Sequence, residues 1–358
     1  MKVGLVYDKT YLKFTPSYFK PWFESFESPE RLRCTMNYLE RTEILEENKL
    51  LRLKPRMATD EEILRVHTSY LLQILRESSE LGGGEVGQNS IATAETFEVA
   101  KMAAGGAIVS GEAVVRNKIG QAFALIRPPG HHAGKGRVEG LCFLNNAAIM
   151  IDHLRAKNLV KRVMVLDWDS HYCDGTGELY YDDPDVMVVS FHEDDFSNDG
   201  RGKLSELGTG KGIGYNINVP LPINLGEDYY LYAFDEIFGP IAKAFNPDII
   251  VVSAGFDGHY GDPIGNMLLN SATYGQLTER ILEVASELCG GKIVFILEGG
   301  YNLISLPTSV AHVLSTLLEI EAPSTNEVKY ESDRKIVKLV KAVIRERKKN
   351  LSVYWDVF

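Results

Sequence analysis

Three side chains able to bind a cation recur at every second position in Asp167-Trp168-Asp169-Ser170-His171. They follow Val163-Met164-Val165-Leu166, an unbroken apolar run that reads as a buried strand. Alternate residues of an extended chain face the same way, so two carboxylates and an imidazole converge at the strand's C-terminal end. Open parallel sheets place their ligands at that end. Buried charge without a partner is costly, and a divalent ion such as Zn²⁺ would satisfy these oxygen and nitrogen donors. The same residues would also serve as ordinary cap and loop groups, and a lone Asp-x-His does not decide between the two.

Three further stretches carry reactive groups after apolar runs. In Arg127-Pro128-Pro129-Gly130-His131-His132, a stiff turn holds two histidines, the side chain best suited to move protons near neutral pH. In Ser253-Ala254-Gly255-Phe256-Asp257-Gly258, Asp257 can supply a third metal ligand. In Glu298-Gly299-Gly300-Tyr301, two glycines permit close backbone approach to a ligand and bring a phenol to a pocket rim, where it can donate to an oxyanion. Each stretch alone is also an ordinary turn. Together they form a hydrolytic set: an open three-ligand metal site, two histidines with carboxylate partners, and a phenol.

These groups need a scaffold that brings strand ends together. Apolar runs predict strands at 2–7, 122–126, 163–166, 186–190, 248–253 and 292–297. Helical patterns lie between them at 145–157, 227–245, 271–289 and 305–319. Uninterrupted apolar strands separated by amphipathic helices indicate an α/β fold, with a mainly parallel central sheet covered by helices on both faces. Ser28, with Pro29 after it, is read as the cap of a helix reaching Leu45. Thr59 and Glu62 form a capping box, a helix starts near Thr68, and another runs from Thr93 to Val115. Residues 82–87 read as a glycine-rich flexible loop, and the aromatic stretch 11–27 as a long ordered loop. The basic amphipathic segment 332–349 is expected to dock by its apolar side. With no internal repeat or low-complexity linker, residues 1–358 are read as one catalytic domain.

Composition narrows the function. The chain has 358 residues and a net charge of −11, which disfavours direct nucleic-acid binding. No apolar run is long enough for a membrane span. The N-terminus reads as a strand and not a signal peptide. Cys34, Cys142, Cys173 and Cys289 lie far apart, against a disulfide scaffold or a zinc–cysteine site and in keeping with the cytoplasm.

With these motifs in this order, the chain resembles the arginase-fold deacetylases: histone deacetylases, acetylpolyamine amidohydrolases and acetoin-utilisation proteins. The resemblance runs from Ser28-Pro29-Glu30-Arg31 through the Tyr301 motif. It implies a three-layer arginase/deacetylase-like fold and a zinc-dependent hydrolase that releases acetate, or another acid, from an acylated amine such as acetyl-lysine. It makes Asp169, His171 and Asp257 the zinc ligands, His131 and His132 the tandem catalytic histidines, and Asp167 and Asp174 their orienting carboxylates. Tyr301 becomes the phenol that polarises the carbonyl, and Gly140, Leu141, Gly299 and Gly300 fall beside the ligand. It further implies K⁺ or Na⁺ held by Asp167, Ser190 and main-chain oxygens at 169, 171 and 191, and a second such ion near Tyr180, Asp183 and Val186. Relatives vary in assembly, so a homo-oligomer is open, with the 11–27 stretch at a contact.

Departures from the family pattern concern the substrate. Asn89 stands where a rim aspartate is common, Leu141 where the channel wall is often Phe, and Ile264 where polyamine-preferring relatives carry an acid. Tyr172 and Cys173 replace a histidine and a glycine, and residues 193–209 match nothing cleanly. Acetylpolyamines and other small acylamides remain alternatives. A binuclear ureohydrolase would need a second acidic pair after Asp257, which Gly258-His259 does not supply. A non-catalytic acyl-ligand binder is at odds with the intact set.

Overall fold

Nearly every strand of the central sheet is short, apolar and buried along its length, so the sheet is covered on both faces. The computed structural model describes residues 1–16, 26–194 and 200–358. In chain order the strands are β1 (Val3–Val6), β2 (Leu50–Leu53), β3 (Gly83–Gly87), β4 (Ser90–Thr93), β5 (Gln121–Ala124), β6 (Val163–Asp167), β7 (Val186–Glu193), β8 (Asn216–Leu221), β9 (Ile249–Ala254) and β10 (Ile293–Leu297). The helices are α1 (Glu30–Arg41), α2 (Asp60–Leu64), α3 (Ser69–Glu80), α4 (Thr96–Val115), α5 (Asn146–Ala156), α6 (Asp174–Leu179), α7 (Glu227–Phe245), α8 (Ser271–Cys289), α9 (Ser305–Leu318) and α10 (Arg334–Leu351).

Eight strands form one parallel sheet in the order β2-β1-β5-β10-β9-β6-β7-β8. The expected α/β architecture is therefore present. Four adjacent strands, β5, β10, β9 and β6, are those whose following residues carry the reactive groups. Their C-terminal ends are level, with Asp167 beside Ser253 and Leu297 beside Ala254. The helices pack in two groups, α2 to α5 on one side and α1, α9, α8, α7 and α10 on the other. Stacked rings of Phe123, Phe295 and Phe256, with Trp168 against the last two, fill the core beneath the strand ends.

Several sequence expectations are corrected. Residues 83–87 are not a loop but β3 of an antiparallel hairpin with β4. Backbone pairing holds this glycine-rich stretch despite its low strand propensity. β8 and β2 were not expected. β8 contains Pro220, which lacks an N–H and is tolerated because β8 is an edge. β2 is the opposite edge and only partly buried, so its apolar signal is weak. Ser28 does not cap α1 with its side chain; its carbonyl accepts from the Arg31 N–H, and the helix stops at Arg41. The Thr59–Glu62 capping box is formed as expected. Of the aromatic stretch, Tyr11 and Phe14 are buried, while Tyr18, Phe19, Trp22 and Phe23 lie outside the described residues. α10 buries Val340, Ile344 and Leu351 and packs on α7 and β8. Among the described residues no helix is long and apolar enough to cross a membrane.

Candidate active site

β6 ends at Asp167, and the chain continues extended enough to bring Asp169 and His171 to the same side. From β9, Asp257 meets them. His171 Nδ1 lies 3.1 Å from Asp169 Oδ1 and 3.0 Å from Asp257 Oδ2, and donor atoms of all three lie within 4.8 Å of one another. Asp169 and Asp257 are 1% and 0% exposed. Among the described residues their ion-pair partners are histidines, with no Lys or Arg alongside. Two buried carboxylates and one imidazole aimed at a common point fit a divalent cation, and three protein donors leave positions open for a reactant. The charge demand is visible in the titration of the group. Burial opposes a charged His171, yet Asp169 and Asp257 push its pKa well up. Burial and the neighbouring Asp169 raise Asp257.

The β10 turn closes this cluster from the side. The Gly299 N–H donates to Asp169 Oδ2 at 2.8 Å. A Cβ on Gly299 would sit 2.4 Å from Asp257 Oδ2 and 2.5 Å from Asp169 Oδ2, so only glycine fits. The Gly300 carbonyl accepts from Arg31 Nε at 2.6 Å. These two glycines thus approach the donor carboxylates and Arg31 and are not among the residues lining the cavity described below.

The two histidines differ in surroundings. His131 Nδ1 is 3.1 Å from Asp167 Oδ2, fully within the core. Burial would lower its pKa, but Asp169 and Asp167 push it up to about 10. His132 Nδ1 is 2.6 Å from Asp174 Oδ1, at the start of α6. Burial and the charge of His131, whose ring is 4.1 Å away, lower its pKa against the pull of Asp174. A neutral imidazole with Nδ1 committed to a carboxylate has Nε2 left to take a proton. Tyr301 is 7% exposed, with the Arg31 guanidinium 4.8 Å above its ring. Burial holds its phenol well above the usual range, so it remains a donor.

His132, His171, Asp174 and Tyr301 line one cavity of about 500 Å³. Phe26, Asn89, Gly140, Leu141, Tyr172, Ile264 and Arg201 also line it, so each rim position singled out as a departure, save Cys173, faces the cavity. Cys173 is fully buried. Gly140 lies flat on His132; a Cβ there would be 2.3 Å from His132 Cδ2. Asp167 and Ser190 are neighbours across β6 and β7. Of the 193–209 stretch, residues 195–199 lie outside the described residues.

Three residues escaped the sequence reading. Glu298 is fully buried and accepts from the N–H groups of Gly130 at 2.7 Å and His131 at 3.1 Å. It clamps the backbone of the tandem histidines. An apolar strand ending in an acid was the available signal, the same one that pointed to Asp167. Glu139 and Arg201 also reach the site, but they sit in polar stretches with no periodic signal.

Comparison with known proteins agrees with this geometry. Residues 25–317 match the histone deacetylase domain. A probable deacetylase of Archaeoglobus fulgidus is 36% identical over 100% of both chains. A histone deacetylase-like amidohydrolase of Pseudomonas aeruginosa is 36% identical over 78% of this chain and 73% of its own. The human polyamine deacetylase HDAC10 is 35% identical over 83% of this chain and 45% of its own. The crystal structure of the HDA15 HD domain superposes with a TM-score of 0.86 at 29% identity, covering 100% of this chain and 97% of that one. On the strength of the matched domain and of relatives aligned from end to end, this chain belongs to the histone deacetylase family.

Proposed function

We propose that the chain is a zinc-dependent amide hydrolase that removes acetyl, or a similarly small acyl group, from a primary amine such as a lysine side chain. The observation that carries this reading is the meeting of the Asp169–His171–Asp257 donors with a cavity that His171, the His132–Asp174 pair and Tyr301 line. The ion, when bound, supplies a Lewis acid that polarises the acyl carbonyl and acidifies water. Asp169, His171 and Asp257 would hold it. His132, kept neutral by burial and by His131, takes the water proton on Nε2 while Asp174 fixes its ring. Tyr301 donates its O–H to the developing oxyanion. His131, held by Asp167, packs against the His132 ring. Asp167 and Ser190 would hold K⁺ or Na⁺ behind the site.

Among amines, a neutral acyl-lysine side chain suits the cavity better than a polyamine. Ile264 gives the lip no carboxylate, and the lining acid Glu139 is already paired with Arg201. A binuclear ureohydrolase is not supported. His259 Nδ1 accepts the Gly261 N–H, and its Nε2 lies 3.3 Å from Glu327, so it offers no second set of donors. The free cysteines support a reducing compartment, and we place the protein in the cytoplasm.

The test is a substrate panel of acetyl-lysine peptides, acetylpolyamines and longer acyl-lysines, with and without chelator. Chelator-sensitive cleavage of acetyl-lysine peptides above the rest is expected. Turnover that persists after exhaustive chelation would overturn the reading.

A further inference from the structure

Four charged side chains, three of them lining the cavity, form a closed ring of alternating sign. Arg201 pairs with Glu139 at 2.8 Å through Nη2 and with Asp174 Oδ2 through Nη1. Arg137 pairs with Asp174 Oδ2 at 2.7 Å through Nη2 and with Glu139 Oε2 through Nη1. The acids are nearly buried, with side chains 5% and 11% exposed, while both arginines are about one-third exposed. Burial would raise the Asp174 pKa, but His132 and the two guanidiniums hold it at about 2. Glu139 immediately precedes Gly140, whose Cα packs on the His132 ring. The ring therefore joins the two neighbours of His132: the carboxylate on its Nδ1 and the backbone under its face.

We propose that Arg201 and Arg137 are positioning residues for the base, tying Asp174 to Glu139 so that His132 is fixed from both sides. Neither arginine needs to touch the reacting atoms. Asp174 has its second oxygen held by both guanidiniums, so swinging away from His132 would break two charge-assisted contacts at a half-buried wall. Glu139 in turn keeps Gly140 against the ring. The inference rests on His132 acting as the base.

The experiment uses Arg201→Ala, Arg201→Lys, Glu139→Ala, Arg201→Ala/Glu139→Ala and His132→Ala in the zinc-loaded protein, with a short acetyl-lysine substrate. Outer partners of metal ligands typically contribute about 10–100-fold in affinity or activity, and a partner of the base is taken at the same scale. Arg201→Ala is expected to lower kcat by about tenfold or more with KM within about threefold. Arg201→Lys should recover most of kcat, because one cation can still bridge Asp174 and Glu139. The double variant should be less than additive. Should Arg201→Ala fail to fold, the Lys variant and the Glu139→Ala variant carry the same test. An Arg201→Ala enzyme with unchanged kcat, or one changed in KM alone, would overturn the proposal while leaving the base assignment intact. A His132→Ala enzyme with near-normal turnover would instead remove the base assignment on which it rests.

Discussion

On the floor of the site, Asp169, Asp257 and Tyr301 follow directly from buried strands β6, β9 and β10. At its rim, Asn89 sits in a hairpin turn at φ 53°, Leu141 in an irregular segment at φ 67°, and Arg201 in a loop. The floor side chains Asp169 and Asp257 are almost wholly buried, whereas Arg201 keeps a third of its side chain in water. The floor is fixed by parallel backbone pairing across four strands and by Gly299, which tolerates no larger residue. The rim is fixed by the local backbone bonds of a hairpin and a turn, and by side-chain pairs such as Arg201 with Glu139. On the proposed reading, reaction type resides in the sheet, and substrate choice in segments whose geometry the sheet does not dictate.

The sharpest way to break this contrast is on the floor. Replacing Asp257 by Asn removes a charged donor, and kcat/KM should fall by at least the about 10²–10⁴-fold typical of losing a central catalytic group. Zinc content by elemental analysis should drop in parallel, and a variant with full zinc and full rate would refute the donor assignment. His132→Ala is expected to lose about 10²–10⁴-fold with zinc retained. In the parent enzyme the same residue sets a pH signature. Its lowered pKa keeps the base form populated below the ordinary 6.5, so the acid limb of kcat/KM should fall below that value. A limb well above it would contradict the neutral-base assignment.

Rim changes should be smaller and should redistribute substrates. Leu141→Ala widens the cavity; it should shift preference towards longer acyl chains by about tenfold, the scale of one or two methylenes in a pocket. The acetyl rate should move by much less. Equal losses on all substrates would show that Leu141 belongs with the floor. The smallest effect lies away from the site. Glu62 and Glu112 flank His153, and interactions with Arg56, Lys157 and His153 lower both carboxylates, despite burial, to about 2. Depressed carboxylates stabilise the fold above their unfolded pKa of 4.5, and that contribution fades as pH falls from there towards about 2. Glu62→Gln should flatten the fall of Tm across that window; an unchanged slope would count against the cluster.

The periodic and apolar parts of the fold were legible before any coordinates. β6, β9 and β10 announce themselves as apolar runs, because a strand buried on both faces has no polar positions to blur the pattern. The Thr59–Glu62 box was readable because capping is local. The edges were harder. β8 alternates Asn with apolar residues and contains Pro220, so its membership depends on β7 lying alongside. β3 is glycine-rich, and only its partner β4 makes it a strand.

By itself, the sequence determined which residues end the central strands, and therefore that carboxylates, imidazoles and a phenol stand on one edge of a parallel sheet. It carried those facts because strand burial and side-chain alternation are local properties written at period two. Only the tertiary structure decided that Glu298 clamps the histidine backbone, and that Arg137, Glu139, Arg201 and Asp174 close into a ring. Those partners lie up to 168 positions apart in the chain. Their pairing depends on Coulomb and hydrogen-bond geometry in space, which no spacing along the chain encodes.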